Sequence, residues 1–225
     1  SDLLSKICNY NRRSDFIIKV LKDRLIENPK QQIMMIASYK NILSYMFEAI
    51  KHHKICSVGY YIGGMKESAL KESENKQVVL ATYSMAAEGL DIKTLSTLFM
   101  ITPMTNIEQS VGRILRQKHD FSAVVVDIID SHDNFQRQWM KRKSFYKKQN
   151  YKIIQTNSLN YESDVSKWKV TYESNNVITN VSTQNSNKDV FKKNKILNSD
   201  SEDEINEEVE SDKLTKGVCL LKFKR

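Results

Sequence analysis

In the stretch Gln32-Ile-Met-Met-Ile-Ala37, five consecutive apolar residues follow Gln32, and the run ends at the polar residues Ser38-Tyr39-Lys40. A strand with one face in water alternates apolar and polar side chains, whereas a strand buried on both faces is continuously apolar. The run therefore predicts a strand inside a parallel sheet that helices cover on both faces.

Four further apolar runs follow, and patterns with helical periodicity separate them. The further runs are Ile55–Ile62, Gln77–Ala81, Thr97–Ile101 and Ala123–Ile129. The helical patterns are Asp15–Glu27, Asn41–Lys51, Met65–Ser73, Asn106–Arg116 and Ser131–Tyr151. This alternation predicts βαβ units in a three-layer α/β domain with a mostly parallel sheet.

The last helical pattern combines an aromatic stripe with many basic residues. Phe135, Trp139 and Tyr146 are spaced to pack on one face of the helix. The basic residues that crowd the remaining surface are Arg137, Lys141, Arg142, Lys143, Lys147 and Lys148. Two interpretations stay open: a solvated face on a helix that is docked by its aromatic residues, or direct contact with nucleic acid.

Composition divides the chain near residue 155. We expect a folded domain over residues 1–155 and a charged tail over residues 156–225. The tail is rich in Asn and Ser, and it contains an acidic block from Ser199 to Asp212 and an alternating segment, Val165–Tyr172, that is consistent with one strand. Because such a tail buries too little apolar surface to offset its ordering entropy, we expect it to be largely disordered and available to protein partners.

The net charge of +8 is unevenly distributed along the 225 residues. Residues 1–155 contain 24 Lys and Arg against 15 Asp and Glu, whereas residues 156–225 contain 11 against 12. The basic excess of the first part favours a polyanionic partner. No apolar run approaches the roughly 18 residues that a membrane-spanning helix needs, so we expect no membrane partner.

The three cysteines are widely scattered, at Cys8, Cys56 and Cys219, and have no metal-binding spacing with the histidines. We therefore expect no metal site in this chain, and reduced thiols in an intracellular protein are the simplest explanation. Because the first residue is Ser1 rather than Met, we expect the chain to be a fragment or a processed product.

One stretch carries two permanently charged side chains in a fixed relation. In Gln109-Ser-Val-Gly-Arg-Ile-Leu-Arg116, Arg113 and Arg116 lie three residues apart, so on a helix both guanidinium groups share one face. Two guanidinium groups on the same face of a helix suit a polyphosphate ligand. For an isolated pair, a surface helix with solvated arginines is the commoner explanation, so the surrounding motifs decide the interpretation.

Polar or glycine residues follow the predicted strands at the ends where α/β sheets bind ligands. These residues are Ser38, Gly63, Gly64 and Thr82. The loop Glu88-Gly-Leu-Asp91 comes next, with 17 residues between Asp91 and Gln109. Hydroxyls and backbone N–H groups at such strand ends position phosphates without reading base sequence.

In this order, the motifs resemble the C-terminal RecA-like domain of superfamily 2 helicases over residues 10–150. Ala81–Asp91 looks like motif V, and Gln109–Arg116 looks like motif VI with its QxxGRxxR pattern. Ser38-Tyr39 ends the equivalent of motif IV, and Tyr61–Lys66 matches the motif between IV and V.

Two details narrow the resemblance within the superfamily. Glu88–Asp91 together with Arg113–Arg116 is closest to the branch that holds repair and transcription-associated DNA helicases. Asp127-Ile-Ile-Asp130, followed by the aromatic and basic helix, is similar to helicases of large DNA viruses. For a viral protein, the resemblance implies a location in the host cytoplasm, the virus factory or the virion.

The resemblance implies a role for each matched residue. Arg113 and Arg116 would be arginine fingers that stabilise charge on the γ-phosphoryl group, and Gln109 would help to place the phosphate or the attacking water. The residues implied at the nucleotide are Glu88, Gly89 and Asp91. The residues implied at the nucleic-acid strand are Ser38, Gly63, Gly64 and Thr82.

Some parts of such an enzyme have no counterpart in the sequence. It contains no GxxxxGK[ST] phosphate loop, and Asp203-Glu204 has no preceding apolar strand that would make it a magnesium-holding motif. The resemblance therefore implies that ATP and Mg²⁺ are held mainly by an N-terminal RecA-like domain of the same protein, which is absent from this chain.

We therefore expect half of an ATP-dependent helicase or translocase that acts on nucleic acid, with DNA favoured over RNA. Positioning is most of phosphoryl-transfer catalysis, so we expect the chain alone to lack ATPase activity. The alternative is a non-catalytic module that binds nucleic acid or docks a partner. A phosphate loop and a DExH box upstream of Ser1 in the parent reading frame would favour the motor.

Overall fold

The computed structural model describes residues 3–88, 92–108, 111, 122–174 and 217–223, the last seven as backbone only. The helices are α1 (Leu3–Cys8), α2 (Asn11–Glu27), α3 (Lys40–His52), α4 (Glu67–Glu74), α5 (Tyr83–Glu88) and α6 (Asp133–Lys148). The strands are β1 (Gln32–Ala37), β2 (Val58–Tyr61), β3 (Val78–Thr82), β4 (Leu95–Met100), β5 (Val124–Asp130), β6 (Lys152–Asn157), β7 (Lys169–Tyr172) and β8 (Gly217–Phe223). A 3-10 helix spans Val165–Lys167.

The strands form one sheet in the order β2-β3-β1-β4-β5-β8-β6-β7. Each neighbouring pair is parallel except β6 and β7, which are antiparallel. All five predicted runs are strands of this sheet, and the first matches β1 residue for residue. The predicted α/β class with a mostly parallel sheet is confirmed.

Helices cover both faces of the sheet, as the unbroken apolar run of β1 predicts. Met34 and Ile36 belong to the core on one face, which also contains Trp139 and Tyr146 of α6. Their neighbours along the strand belong to the core on the other face, which contains the apolar residues of α2 and α3. Since every residue from 33 to 37 is fully buried, neither face of β1 can carry a polar side chain without cost.

The three aromatic residues of α6 do not pack as one stripe, because Phe135 belongs to the core on the α2 face and Trp139 and Tyr146 to the core on the other face. One of the basic residues of α6 also does not lie on the surface. Phe135, Trp139 and Tyr146 are buried. The prediction that Arg142 belongs to the basic surface is wrong: its side chain is 1% exposed and forms an ion pair with Asp127. A buried carboxylate in β5 supplies the partner that makes burial of a guanidinium group tolerable.

The described chain continues past the expected domain boundary at residue 155, which lies inside β6. Residues 158–168, which we call the strap, lie against α2: the Tyr161 hydroxyl donates to the Asp23 carboxylate at 2.8 Å, and Trp168 is buried. β7 then pairs with β6, within the segment whose alternation was consistent with a strand. Residues 175–216, with the acidic block, lie outside the described residues.

Within the described ranges, no helix has both the length and the apolar character to cross a bilayer.

Candidate nucleic-acid and nucleotide interface

Strands β2, β3, β1 and β4 are consecutive in the sheet, so the residues that follow them meet at its carboxyl edge. In that order the residues at or just after the strand ends are Gly63–Gly64, Thr82, Ser38 and Thr102. Ala37 is the register partner of Thr82, which sets the ends of β1 and β3 side by side. The four predicted strand-binding residues therefore share one edge, and Thr102 joins them.

Ser38 is tied to Thr102 at the end of β4. The Ser38 N–H donates to Thr102 Oγ1 at 2.9 Å, and the two hydroxyl oxygens are 3.2 Å apart. Thr102 is buried, whereas Ser38 is half-buried. The sequence prediction did not include Thr102; the signal for it was a hydroxyl residue directly after a predicted strand. This contact fixes the end of β1 against the segment that leads to Gln109–Arg116.

The backbone after β2 is open to solvent. Gly63 and Gly64 are exposed, and Gly64 has a φ of 90°, which L side chains rarely adopt. A Cβ built at Gly63 would meet only the Met85 sulfur, at 4.0 Å. Lys40 Nζ lies 3.4 Å from the Gly63 carbonyl oxygen, so a cation stands beside this open backbone.

The end of β3 presents two more hydroxyls. Thr82 Oγ1 and Ser84 Oγ are 3.2 Å apart, and the Ser84 side chain is exposed. Hydroxyls both donate and accept, so a pair of them can share one proton and still offer another to a phosphate oxygen. Together with Ser38 and Lys40, these two hydroxyl residues make the edge polar, and none of the four carries a negative charge.

Buried donors hold the backbone that leaves β4. We call residues 101–104 the connector. Arg13 Nη2 donates to the Ile101 carbonyl at 2.8 Å, and the Tyr83 hydroxyl donates to the Thr102 carbonyl at 2.7 Å. Arg142 Nη1 donates to the Met104 carbonyl at 2.8 Å. Burial raises the pKa of the Tyr83 hydroxyl well above its ordinary value, so it remains a donor at neutral pH.

The described residues reach the start of the arginine motif. The Val111 N–H donates to the Ile107 carbonyl at 2.8 Å, the spacing of an α-helical turn, and both side chains are buried. Gln109, Arg113 and Arg116 lie outside the described residues, as do Gly89 and Asp91. Glu88 ends α5, and only its backbone is described.

A small pocket lies beside Arg13, between α1, the start of α2 and the end of β5. Its volume is about 110 Å³, below the roughly 300 Å³ at which small-molecule sites begin. Arg13 Nη1 is buried and has no hydrogen-bond partner among the described residues. At a volume of about 110 Å³, the pocket is too small to hold a nucleotide.

Within the described residues, no three His, Cys, Asp or Glu side chains are grouped so that they could hold a metal ion.

Comparison with known protein families gives a match that includes strands β1 to β4 and the connector. Residues 15–118 match the model of the helicase conserved C-terminal domain. A putative ATP-dependent RNA helicase of Acanthamoeba polyphaga mimivirus is 38% identical over 157 residues, which are 68% of this chain and 30% of that protein. A protein with the same description from African swine fever virus is 30% identical over 136 residues, 56% of this chain and 27% of that protein. The chain thus spans less than a third of these relatives.

A solved structure shares the fold. The crystal structure of T4 UvsW superimposes with a TM-score of 0.52 at 19% identity, over 64% of this chain and 34% of that one. The family match and the viral relatives confirm the resemblance to the C-terminal domain of superfamily 2 helicases, including its likeness to proteins of large DNA viruses. Residues 15–118 of this chain are therefore a helicase conserved C-terminal domain of the superfamily 2 type.

Proposed function

We propose that this chain is the C-terminal half of an ATP-dependent nucleic-acid helicase or translocase, and that it supplies both arginine fingers and part of the strand-binding surface. One observation carries the proposal. Open glycine backbone and hydroxyl groups share the carboxyl edge, and one of them, Ser38, contacts the connector at Thr102, seven residues before Gln109–Arg116 begins.

The strand-binding role rests on the chemistry of that edge. Ser38 and Thr82 offer hydroxyl groups, Gly63 and Gly64 offer backbone that no side chain covers, and Lys40 adds a positive charge. Groups of this kind bind phosphate oxygens and do not distinguish bases. The edge therefore suits a phosphodiester strand that must slide, as translocation requires.

The nucleotide role is divided between two domains in this proposal. Arg113 and Arg116 stabilise charge on the transferred phosphoryl group, Gln109 places the phosphate or the water, and Glu88, Gly89 and Asp91 lie near the nucleotide. We assign the metal and the triphosphate mainly to an N-terminal RecA-like domain of the same protein, as the resemblance implies for a sequence that contains no GxxxxGK[ST] phosphate loop. Mg²⁺ would neutralise charge on the phosphates there.

The sugar of the strand is a separate question. The two viral relatives are described as RNA helicases, whereas the motifs of this chain favour DNA. Contacts to phosphate oxygens are common to both nucleic acids, and a contact to the 2′-hydroxyl is what separates them. Affinity for DNA and RNA oligonucleotides of one length and sequence, measured side by side, decides between them.

The charge of Lys40 gives a direct test of the strand-binding edge. We expect Lys40→Gln to weaken binding of single-stranded nucleic acid and to reduce the slope of log affinity against log salt by about 0.7, since one phosphate contact is lost. Fluorescence anisotropy over a salt series measures both quantities. Lys30→Gln is the matched control, because Lys30 is exposed at the opposite edge, before β1 begins. An equal loss of slope in both variants would contradict the assignment of this edge.

The open backbone at Gly63 gives a steric test that leaves charge unchanged. We expect Gly63→Leu to weaken strand binding about tenfold, about 1.4 kcal/mol, by keeping the strand from the backbone. The melting temperature should hold, because a Cβ at this position has room. Gln149→Leu, at an exposed site between α6 and β6, is the control for added apolar surface. Unchanged affinity for Gly63→Leu would mean that the strand does not approach here.

A further inference from the structure

We infer that Arg142 and Arg13 are positioning residues, which hold the connector and so fix where the chain enters the segment that contains the proposed arginine fingers. This inference rests on the proposed function of Arg113 and Arg116. It concerns two side chains that lie on opposite faces of the sheet. In the proposed function, neither side chain contacts the nucleotide or the nucleic acid.

On the α6 face, Arg142 is bound on two sides. Its Nε and Nη2 donate to the two carboxylate oxygens of Asp127 at 2.7 and 2.9 Å. Its remaining nitrogen, Nη1, donates to the Met104 carbonyl. Both side chains of the pair are 1% exposed. One guanidinium group thus joins β5, α6 and the connector.

On the α2 face, Arg13 repeats the arrangement. Its Nε and Nη2 donate to the two oxygens of Asp130 at 2.7 and 2.8 Å, and Nη2 also donates to the Ile101 carbonyl. Asp127 and Asp130 lie three apart in one strand, so they point to opposite faces. The connector is therefore held from both sides of the sheet by donors whose charges β5 neutralises.

Stability alone does not explain two buried ion pairs. A buried pair can be replaced by apolar residues of similar volume with little loss, because desolvation offsets most of the attraction. What an apolar pair cannot do is donate to a backbone carbonyl. Lysine is also a poor substitute, since one ammonium group does not offer the forked donors that reach a carboxylate and a carbonyl together.

The held segment is the one that the proposed chemistry needs in place. The Tyr83 hydroxyl binds the Thr102 carbonyl between the two arginine contacts, so donors from α2, α5 and α6 fix three carbonyls of the connector. Buried Ile107 and Val111 follow, and Arg113 is two residues beyond Val111. A displacement of about 1 Å at catalytic groups can cost about a hundredfold in rate.

The test compares an apolar pair with the native pair in a protein that contains both helicase domains. We expect Arg142→Met combined with Asp127→Leu to fold and to bind nucleic acid normally, yet to lower kcat for ATP hydrolysis about tenfold to a hundredfold with little change in KM. The single variant Arg142→Lys, which keeps the charge but not the forked donors, should have a kcat between those of the apolar pair and the wild type. Tyr146→Phe, which removes another hydrogen bond from Asp127 but touches no connector carbonyl, should keep its kcat.

A double-mutant cycle with Arg116→Ala separates positioning from general damage. If Arg142 acts through the proposed arginine fingers, the apolar pair should lower kcat little further in the Arg116→Ala background. An equal loss in both backgrounds, or a normal kcat for the apolar pair, would overturn the inference. A normal kcat for Arg116→Ala itself would instead refute the proposed function. Arg13→Met with Asp130→Leu is the second variant and is judged by the same criteria if the first fails to fold.

Discussion

Changing Arg116 to Ala, in a protein that contains both helicase domains, should lower kcat for ATP hydrolysis by about a thousandfold or more. An arginine finger stabilises charge that develops only in the transition state, so its loss affects kcat and leaves ground-state binding nearly intact. Steady-state hydrolysis with saturating nucleic acid gives kcat, and anisotropy gives the affinity for the strand. We expect that affinity to stay unchanged.

Two controls frame this result. Arg137→Ala also removes an arginine, but Arg137 is exposed on α6 and its side chain contacts Asn134, so kcat should stay at the wild-type value. The second control is the 225-residue chain alone. Because the triphosphate is held mainly by another domain in this proposal, we expect the chain alone not to hydrolyse ATP. A kcat within about tenfold of wild type for Arg116→Ala would contradict the arginine-finger role. Robust turnover by the chain alone would contradict the division of the site.

The fold was predictable because its main signal is local. A strand buried on both faces is typically apolar along its length, and β1 has this pattern from Ile33 to Ala37. The residues after each strand could then be assigned to one edge, since parallel strands end together. Ser38, Gly63, Gly64 and Thr82 were assigned to that edge in this way, and the structure has them there; their contact with nucleic acid stays a prediction.

The support of the connector was not predictable, because its contacts are distant in sequence. Arg13 and Asp130 are 117 residues apart, and no periodicity links them. Arg142 stands among lysines on a helix, so the sequence gives no sign that this one cation faces inward. Its partner Asp127 lies within an apolar run, and a charged residue at a buried strand position was the one available signal.

The secondary structure of residues 156–174 was hidden by the average composition of the segment. Residues 156–174 look like a polar tail because Asn, Ser and charged residues dominate the window. Two aromatic residues decide the structure instead. Tyr161 packs edge-to-face on Phe16, with ring centroids 5.3 Å apart, and its ring also meets Trp168 at 5.7 Å. Since aromatic rings bury large areas, two of them can anchor a short strap that composition alone describes as unfolded.

Replacing Trp168 with Ala should therefore lower the free energy of unfolding by about 3 to 5 kcal/mol, the usual cost of removing a buried Trp. Trp168 is 4% exposed, its Nε1 donates to the Glu162 carbonyl at 2.8 Å, and the Arg24 guanidinium carbon lies 5.6 Å from the ring centroid. The substitution removes the ring, its hydrogen bond and the cover over α2 together. Urea unfolding of the 225-residue chain measures the change.

Two neighbouring substitutions show whether this loss belongs to the strap contact or to any change in the segment. Tyr161→Phe keeps the ring and removes only the hydrogen bond to Asp23, so it should cost about 1 kcal/mol. Leu159→Ala alters a side chain that is 72% exposed and should stay within about 0.5 kcal/mol of wild type. If Trp168→Ala also costs less than about 1 kcal/mol, the strap adds no stability and the domain ends near residue 155, because a ring buried in the core cannot be removed so cheaply.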